Sequence, residues 1–416
     1  VEDLKVYFPE KFIVMQKWHH FMSTLLEKSR GKIGLLWKEK LMHPSSLLSY
    51  YPTYAILDEI TSYGNYKKLN IFIDLKNILQ TTYMEHAIVN LVEASKGSKY
   101  LDTSVFSSLI AFLSFHKIYG IKRGIDTNFI IFLEKGQSYY HKNISKTYKI
   151  SRQIDDLYGL DRPDRELFYK VLHGNFQLIE KACHRMPNLW TVCLPNLEAD
   201  FVPYYLLTRG IIPKEEKTGN VIYSNDHDLW QCLTDDVHIF SKSAKVKKIL
   251  RAGSNMKMLL KRDTDIDDKY MPLAMSIIGD GGDDVVGTKG VGPVAFLNIF
   301  DQLISMTGNI EQIYNKVESN KDLFDFIPLS ISNKKLNSVV QDEVNNKTIS
   351  NNLKLVSFEL ISRALDNPST TDMIAKRKLI EKQFSDKQVS PVAVMKEALE
   401  KNGVFLEESS IDFLYI

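Results

Sequence analysis

Cysteine is scarce: the 416 residues hold three, Cys183, Cys193 and Cys232, widely spaced and without a CxxC pair. An odd number of scattered thiols argues against a disulfide framework or a thiolate zinc site and points to a reducing cytoplasm. Long apolar runs are missing as well. No stretch would span a bilayer, and no charged start leads into an apolar core and a small-residue cleavage site, so neither a membrane association nor export is expected. An excess of one charge is also absent, since 53 basic and 51 acidic side chains leave +2. Affinity for a polyanion must therefore come from local clusters. There is no internal repeat and no low-complexity tract.

What remains is an ordinary globular composition, 44% hydrophobic and 25% charged, long enough for one large domain with extensions or for two domains. The first seventy or so residues read as helical, with Phe12, Met15, Trp18, Phe21, Met22 and Leu25 recurring on one face. From Asn70 the texture changes to short apolar runs typical of buried strands: NIFID (Asn70 to Asp74), FIIFL (Phe129 to Leu133), WTVCL (Trp190 to Leu194), VIYS (Val221 to Ser224) and VHIF (Val237 to Phe240). Helical segments separate them. This alternation predicts an α/β fold, a mostly parallel central sheet flanked by helices, with ligands gathering beyond the carboxyl ends of the strands. After Gly292 the chain is again mostly helical.

Acids follow four of these runs. NIFID closes on Asp74, FIIFL leads to Glu134, WTVCL to Glu198 and Asp200, and VIYS to Asp226 and Asp228. One such acid is an ordinary turn former or helix cap. Four sets on one edge repel one another and are tolerable mainly when divalent cations neutralise them; all-oxygen ligands suit Mg²⁺ or Mn²⁺. The stretch MSIIGDGGDDVVGTKGVGPVAF adds Asp280 and Asp283, with Asp284 alongside, and then a run of glycines that permits positive φ and close approach to a phosphate. Ser241 to Arg262 is basic and free of acids, carrying Lys242, Lys245, Lys247, Lys248, Arg251, Lys257, Lys261 and Arg262. Such a run is either a solvated face or a contact for a phosphate backbone.

Taken in order, Asp74, Glu134, Glu198-Ala-Asp200, SNDHD (Ser224 to Asp228), GDGGDD (Gly279 to Asp284) and GTKGVG (Gly287 to Gly292) resemble the 5′-nuclease family. That family includes bacteriophage flap endonucleases and the 5′-nuclease domains of bacterial DNA polymerases I, and the phage T5-type branch looks closest. The resemblance covers roughly Asn70 to Ile361. It implies a PIN-like 5′-nuclease core with a helical arch and a helix-hairpin-helix region. The implied divisions are a helical N-terminal extension (1–69), a catalytic core with arch (70–270), a helix-hairpin-helix part (271–361) and a helical C-terminal tail (362–416).

By the same resemblance the chain is a structure-selective 5′-3′ exonuclease or flap endonuclease, hydrolysing phosphodiester bonds of DNA and of RNA primers in replication or repair. Two Mg²⁺ ions, replaceable by Mn²⁺, would be held by Asp74, Glu134, Glu198, Asp200, Asp226, Asp228, Asp280 and Asp283. Lys149 and Arg152, in a YKxxR motif at the base of the arch, would face the scissile phosphate. Gly287, Lys289, Gly290 and Gly292 would grip duplex backbone, with K⁺ at the turn, and Lys142, Lys247, Lys248 and Arg251 would add phosphate contacts. Tyr139, Tyr140 and Tyr148 could stack on a displaced base or pack in a core. A monomer in the host cytoplasm, phage-encoded, is the implied setting; for the N-terminal extension the composition leaves two uses open, capping the sheet or binding another replication protein.

Several positions depart from the family pattern. Glu134 stands where phage relatives carry aspartate, and one methylene displaces a ligand by about an ångström. Phe201 ends the family's EADD, His141 replaces an arginine, and Asp284 replaces an asparagine. Two rival readings follow: a catalytically weak or inactive DNA-binding or assembly subunit on the same fold, and an RNA-directed nuclease.

Overall fold

The computed structural model describes residues 54–78, 101–136, 138–150, 179–242, 247–253, 255–328, 330–368, 371–385, 387–401 and 411–415, together with residues 52 and 176. Most of the expected N-terminal extension and the arch residues 151–175, Arg152 among them, lie outside the described residues, as does Lys245.

Among the described residues, six strands form one sheet in the order β3-β2-β1-β4-β5-β6. They are β1 (Lys68–Asp74), β2 (Asp126–Lys135), β3 (Leu189–Pro195), β4 (Thr218–Tyr223), β5 (Val237–Lys242) and β6 (Lys247–Leu250). The first five pair in parallel, and β6 runs antiparallel to β5. Each apolar run read from the sequence lies in one of these parallel strands. The runs are continuous because both faces of the sheet are covered, so successive positions through the middle of each parallel strand are buried. On one face Ile71, Ile73, Phe129, Ile131, Val221 and Tyr223 pack with Leu57 and Ile60 of the helix Tyr54–Tyr63 and with Leu109, Ile110, Phe112 and Leu113 of the helix Leu101–Arg123. Met395, Leu399, Ile411 and Leu414, from near the carboxyl end of the chain, close the same cluster. On the other face Phe72, Ile130, Phe132, Val192, Leu194 and Ile222 pack against Phe201, Tyr205, Phe358 and Ile380.

The strand β6 was hidden inside the basic segment. Its sequence KKIL is too short and too charged to signal a strand, yet it pairs Ile249 with Phe240 and Leu250 with Ile239. A third core joins the helices Met271–Ile278, Pro293–Thr307, Ile310–Glu318, Lys334–Asn346 and Thr348–Val356. Among the described residues no helix is long and apolar enough to cross a membrane.

From β1 the chain adds strands on one side, β2 then β3, and then returns to the other side of β1 for β4 and β5. The strand order therefore reverses between β1 and β4, which opens a crevice beyond their carboxyl ends.

Candidate active site

The acids lie at that crevice. Register explains why two of them share a face: Asp74 is opposite Phe132, and Glu134, two residues further, is opposite Leu194. Alternation thus extends the apolar face of Phe72, Ile130 and Phe132 into carboxylates where the strands end. Across the switch point the Ser224 hydroxyl donates to Asp74 Oδ2 at 2.8 Å, and the Asn225 amide donates to Asn77 Oδ1 at 3.1 Å. Asp226 follows, its Oδ1 accepting the Asp228 amide at 3.1 Å.

Asp280 and Asp283 come from a two-stranded hairpin, β7 (Gly279–Asp280) with β8 (Val285–Val286). Two glycines make it possible. Gly279 has φ 90°, and a Cβ on Gly287 would lie 2.3 Å from the carbonyl carbon of Ile278, so neither position admits a side chain. Asp284, at φ 57°, takes a left-handed turn position that aspartate tolerates better than most residues.

One carboxylate oxygen from each of Asp228, Asp280 and Asp283 lies within 4.8 Å of the others. Asp228 is 7% exposed, and its Oδ1 is buried with no hydrogen-bond partner. A buried anionic oxygen without a donor is costly unless a cation meets it. The all-oxygen donor set fits a hard divalent cation.

The remaining acids keep different company. Lys149 Nζ lies 2.7 Å from Glu198 Oε1 and 3.0 Å from Asp283 Oδ2. Its backbone is in the left-handed region, φ 53°, held by its amide donating to the Asp283 carbonyl at 3.0 Å. The Tyr148 hydroxyl lies 2.9 Å from Glu198 Oε2 and 3.0 Å from Asp283 Oδ2, and its ring stacks on His141 at 4.7 Å. His141 is fixed in turn by Ser138 at 2.6 Å and by the Leu355 carbonyl at 3.1 Å. Glu134 is paired with Lys76, a residue the sequence reading passed over.

The electrostatics follow this arrangement. Burial, then the Asp226 carboxylate, pushes Asp74 up to about 7 against the Ser224 hydrogen bond. Burial and Asp226 and Asp283 hold Asp228 well above the usual carboxylate range, and burial with Glu198 does the same for Asp200. Glu198 goes the other way: burial works to raise it, but the Lys149 ammonium, His141 and the hydrogen bonds from Lys149 and Tyr148 together outweigh that and bring it down to about 2.

No protein-family model matches the chain. A 5′-3′ exonuclease of Buchnera aphidicola is 26% identical over 259 residues, 58% of this chain and 79% of that protein. A 5′-3′ exonuclease of Halalkalibacterium halodurans is 32% identical over 127 residues, 30% of this chain and 38% of that protein. In fold, the chain matches bacteriophage T5 D15 protein crystallised with metal ions, with a TM-score of 0.51 and 19% identity over 76% of this chain and 97% of that one. A T5 D15 flap endonuclease complex with DNA and metal ions gives a TM-score of 0.50 and 20% identity over 79% of this chain and 99% of that one. The chain is similar to the 5′-nucleases in sequence and in fold.

Around this 5′-nuclease-like centre the other predicted residues fall into two groups. Gly287, Lys289, Gly290 and Gly292 form the turn between the helices Met271–Ile278 and Pro293–Thr307, with Gly290 at φ 77°. Asn352, on the helix Thr348–Val356, ties this turn down by donating 2.8 Å bonds to the carbonyls of Ser276 and Val286. The basic residues are spread more widely. Lys142 donates to the Tyr148 carbonyl at 2.8 Å, and Lys247 and Lys248 lie on β6 opposite Lys242 and Ser241. Arg251 donates to Glu59 at 2.7 Å and lies 4.8 Å over the Tyr63 ring. Of the three tyrosines considered for base stacking, Tyr139 is exposed at 59%, whereas Tyr148 at 3% is committed to the acid cluster.

Proposed function

We propose that this chain is a divalent-metal-dependent, structure-selective 5′-nuclease that hydrolyses phosphodiester bonds of DNA at 5′ flaps and ends. The observation that carries this reading is the convergence of Asp228, Asp280 and Asp283 at ion-sized separation beside Lys149, whose ammonium contacts Glu198 and Asp283. The relatives' names, 5′-3′ exonuclease and flap endonuclease, support the same reaction class.

Asp228, Asp280 and Asp283 would hold one ion, and Asp74, Glu134, Glu198 and Asp200 would line the position that the resemblance implies for a second positive charge. Bound there, divalent ions supply charge stabilisation for the phosphoryl group and lower the pKa of the attacking water. The chain's own part is positioning. Tyr148 keeps Glu198 and Asp283 at a fixed separation, and Ser224 orients Asp74. Lys149 presents a fixed positive charge where charge builds on the phosphate. The glycine turn would hold duplex backbone through its amides, with Lys289 beside it and K⁺ as an expected companion. Mg²⁺ with Mn²⁺ as a substitute, RNA primers as further substrates, a role in replication or repair, and a protein partner for the N-terminal extension belong to this proposal. So do the four-part division of the chain, a monomeric state and a cytoplasmic setting.

A second reading, a DNA-binding subunit without activity, draws on the lysines at Glu134 and Glu198, which neutralise two acids without any ion. Cleavage of a 5′-flap DNA with Mg²⁺, with Mn²⁺ and with EDTA, beside an Asp226→Ala control, separates the two. Metal-dependent cutting near the junction that disappears in the control establishes the nuclease. Tight binding with no product under either metal establishes the subunit.

A further inference from the structure

The two sides of the acid cluster differ in what neutralises them. Among the described residues, the acids whose oxygens come together at ion-binding distance are Asp228, Asp280 and Asp283. Glu134, from the opposite side, carries the ammonium of Lys76. Lys76 is not a loose surface side chain. It follows Asp74 by two residues, and its neighbour Asn77 is pinned on both sides, its amide donating to Asp74 Oδ1 at 3.1 Å and its side chain accepting from the Asn225 amide at 3.1 Å. The longer side chain at 134 also acquires a purpose: Glu134 extends from β2 across to the second residue past the end of β1.

Resting on the nuclease reading, we propose that Lys76 is a built-in cation that takes the place of the second divalent ion, so that this centre works with one tightly bound ion and one fixed ammonium. An ammonium beside Glu134 repels an incoming divalent ion while supplying, without metal, part of the positive charge that the transferring phosphoryl group requires. Lys76 and Lys149 then flank the substrate phosphate from the β1 and arch sides, and the triad holds its ion on the third.

Counting Mn²⁺ on the full chain by electron paramagnetic resonance tests this directly. The wild-type protein should bind one Mn²⁺ per chain, with any second ion weaker by on the order of a hundredfold. Lys76→Met should raise the affinity for the second Mn²⁺ by a similar factor and bring spin–spin broadening from the paired ions. Glu134→Gln, which keeps the lysine, should leave the first ion in place and create no second. Two equally tight ions on the wild-type chain would overturn the proposal without recourse to any variant, as would a Lys76→Met protein that still binds only one. If the flap DNA is cut while the wild type carries two tight ions, this proposal alone fails. If no Mn²⁺ binds and no DNA is cut, the nuclease reading fails beneath it.

Discussion

Glu134 and Asp228 are both acids at the carboxyl edge of one sheet, on opposite sides of the switch point, and they are satisfied in opposite ways. Glu134 is paired with a lysine from the neighbouring strand end, while Asp228 keeps a buried oxygen with no partner. A carboxylate with a tethered counter-ion contributes to folding in the absence of metal. One without it makes folding harder and metal binding stronger, because the ion removes a penalty already present in the fold. The centre thus has a structural side and a metal-seeking side, and Lys149, touching both Glu198 and Asp283, spans them.

Breaking the metal-seeking side should have the largest effect. Asp228→Asn is expected to lower flap cleavage roughly a thousandfold, measured in single-turnover kinetics, and to abolish the first Mn²⁺. Thermal stability in EDTA should rise in the same variant, because a buried like-charge contact is relieved. Removing the spanning cation comes next. Lys149→Met should slow cleavage about a hundredfold with little change in DNA affinity. It should also move acid unfolding to higher pH. Glu198, held down at about 2, contributes stability that is present above its unfolded value and lost as pH falls through the folded one, and the variant forfeits that contribution.

A smaller effect separates positioning from charge. Tyr148→Phe retains the ring stacked on His141 and loses only the hydroxyl, and should weaken Mn²⁺ binding by about tenfold to a hundredfold while the melting temperature barely moves. The pH dependence of the metal-free protein sharpens the comparison further. Asp74 has its folded value raised from 3.8 to about 7, so its contribution to stability is complete below the unfolded value and is lost as pH rises through the folded one. In EDTA the melting temperature should therefore climb as pH is lowered from about 8 to about 5.5, and Asp74→Asn should flatten that climb. Smallest of all, Arg251→Ala should cost about 0.2–1 kcal/mol through the lost Glu59 pair and leave the salt dependence of DNA binding unchanged. Lys289→Ala, by contrast, should reduce that salt slope by about one.

The strands were legible because a parallel sheet covered on both faces needs uninterrupted apolar runs, and NIFID, FIIFL, WTVCL, VIYS and VHIF are such runs. Strand β6 was not, because the KKIL pairing depends on β5 beside it and leaves no periodic trace. The acids could be read because they follow strand ends in a fixed order. Lys76 could not: a lone lysine two residues past an aspartate has many ordinary uses, and only the register of β1 against β2 brings it to Glu134. Nor were the roles of Tyr148 and Asn352 legible: the sequence offered Tyr148 only base stacking or core packing, and both residues acquire meaning from partners about 50 and 66 or more residues away.

By itself, then, the sequence determined the class of fold and the edge of the sheet at which the acids gather. Those properties depend on local periodicity and on residue type. Tertiary structure decided which acids share an ion-sized space and which are answered by lysines, and it turned Arg251 toward Glu59. The physical reason is that charge is neutralised over a few ångströms between side chains remote in sequence, and only strand order and register fix those distances.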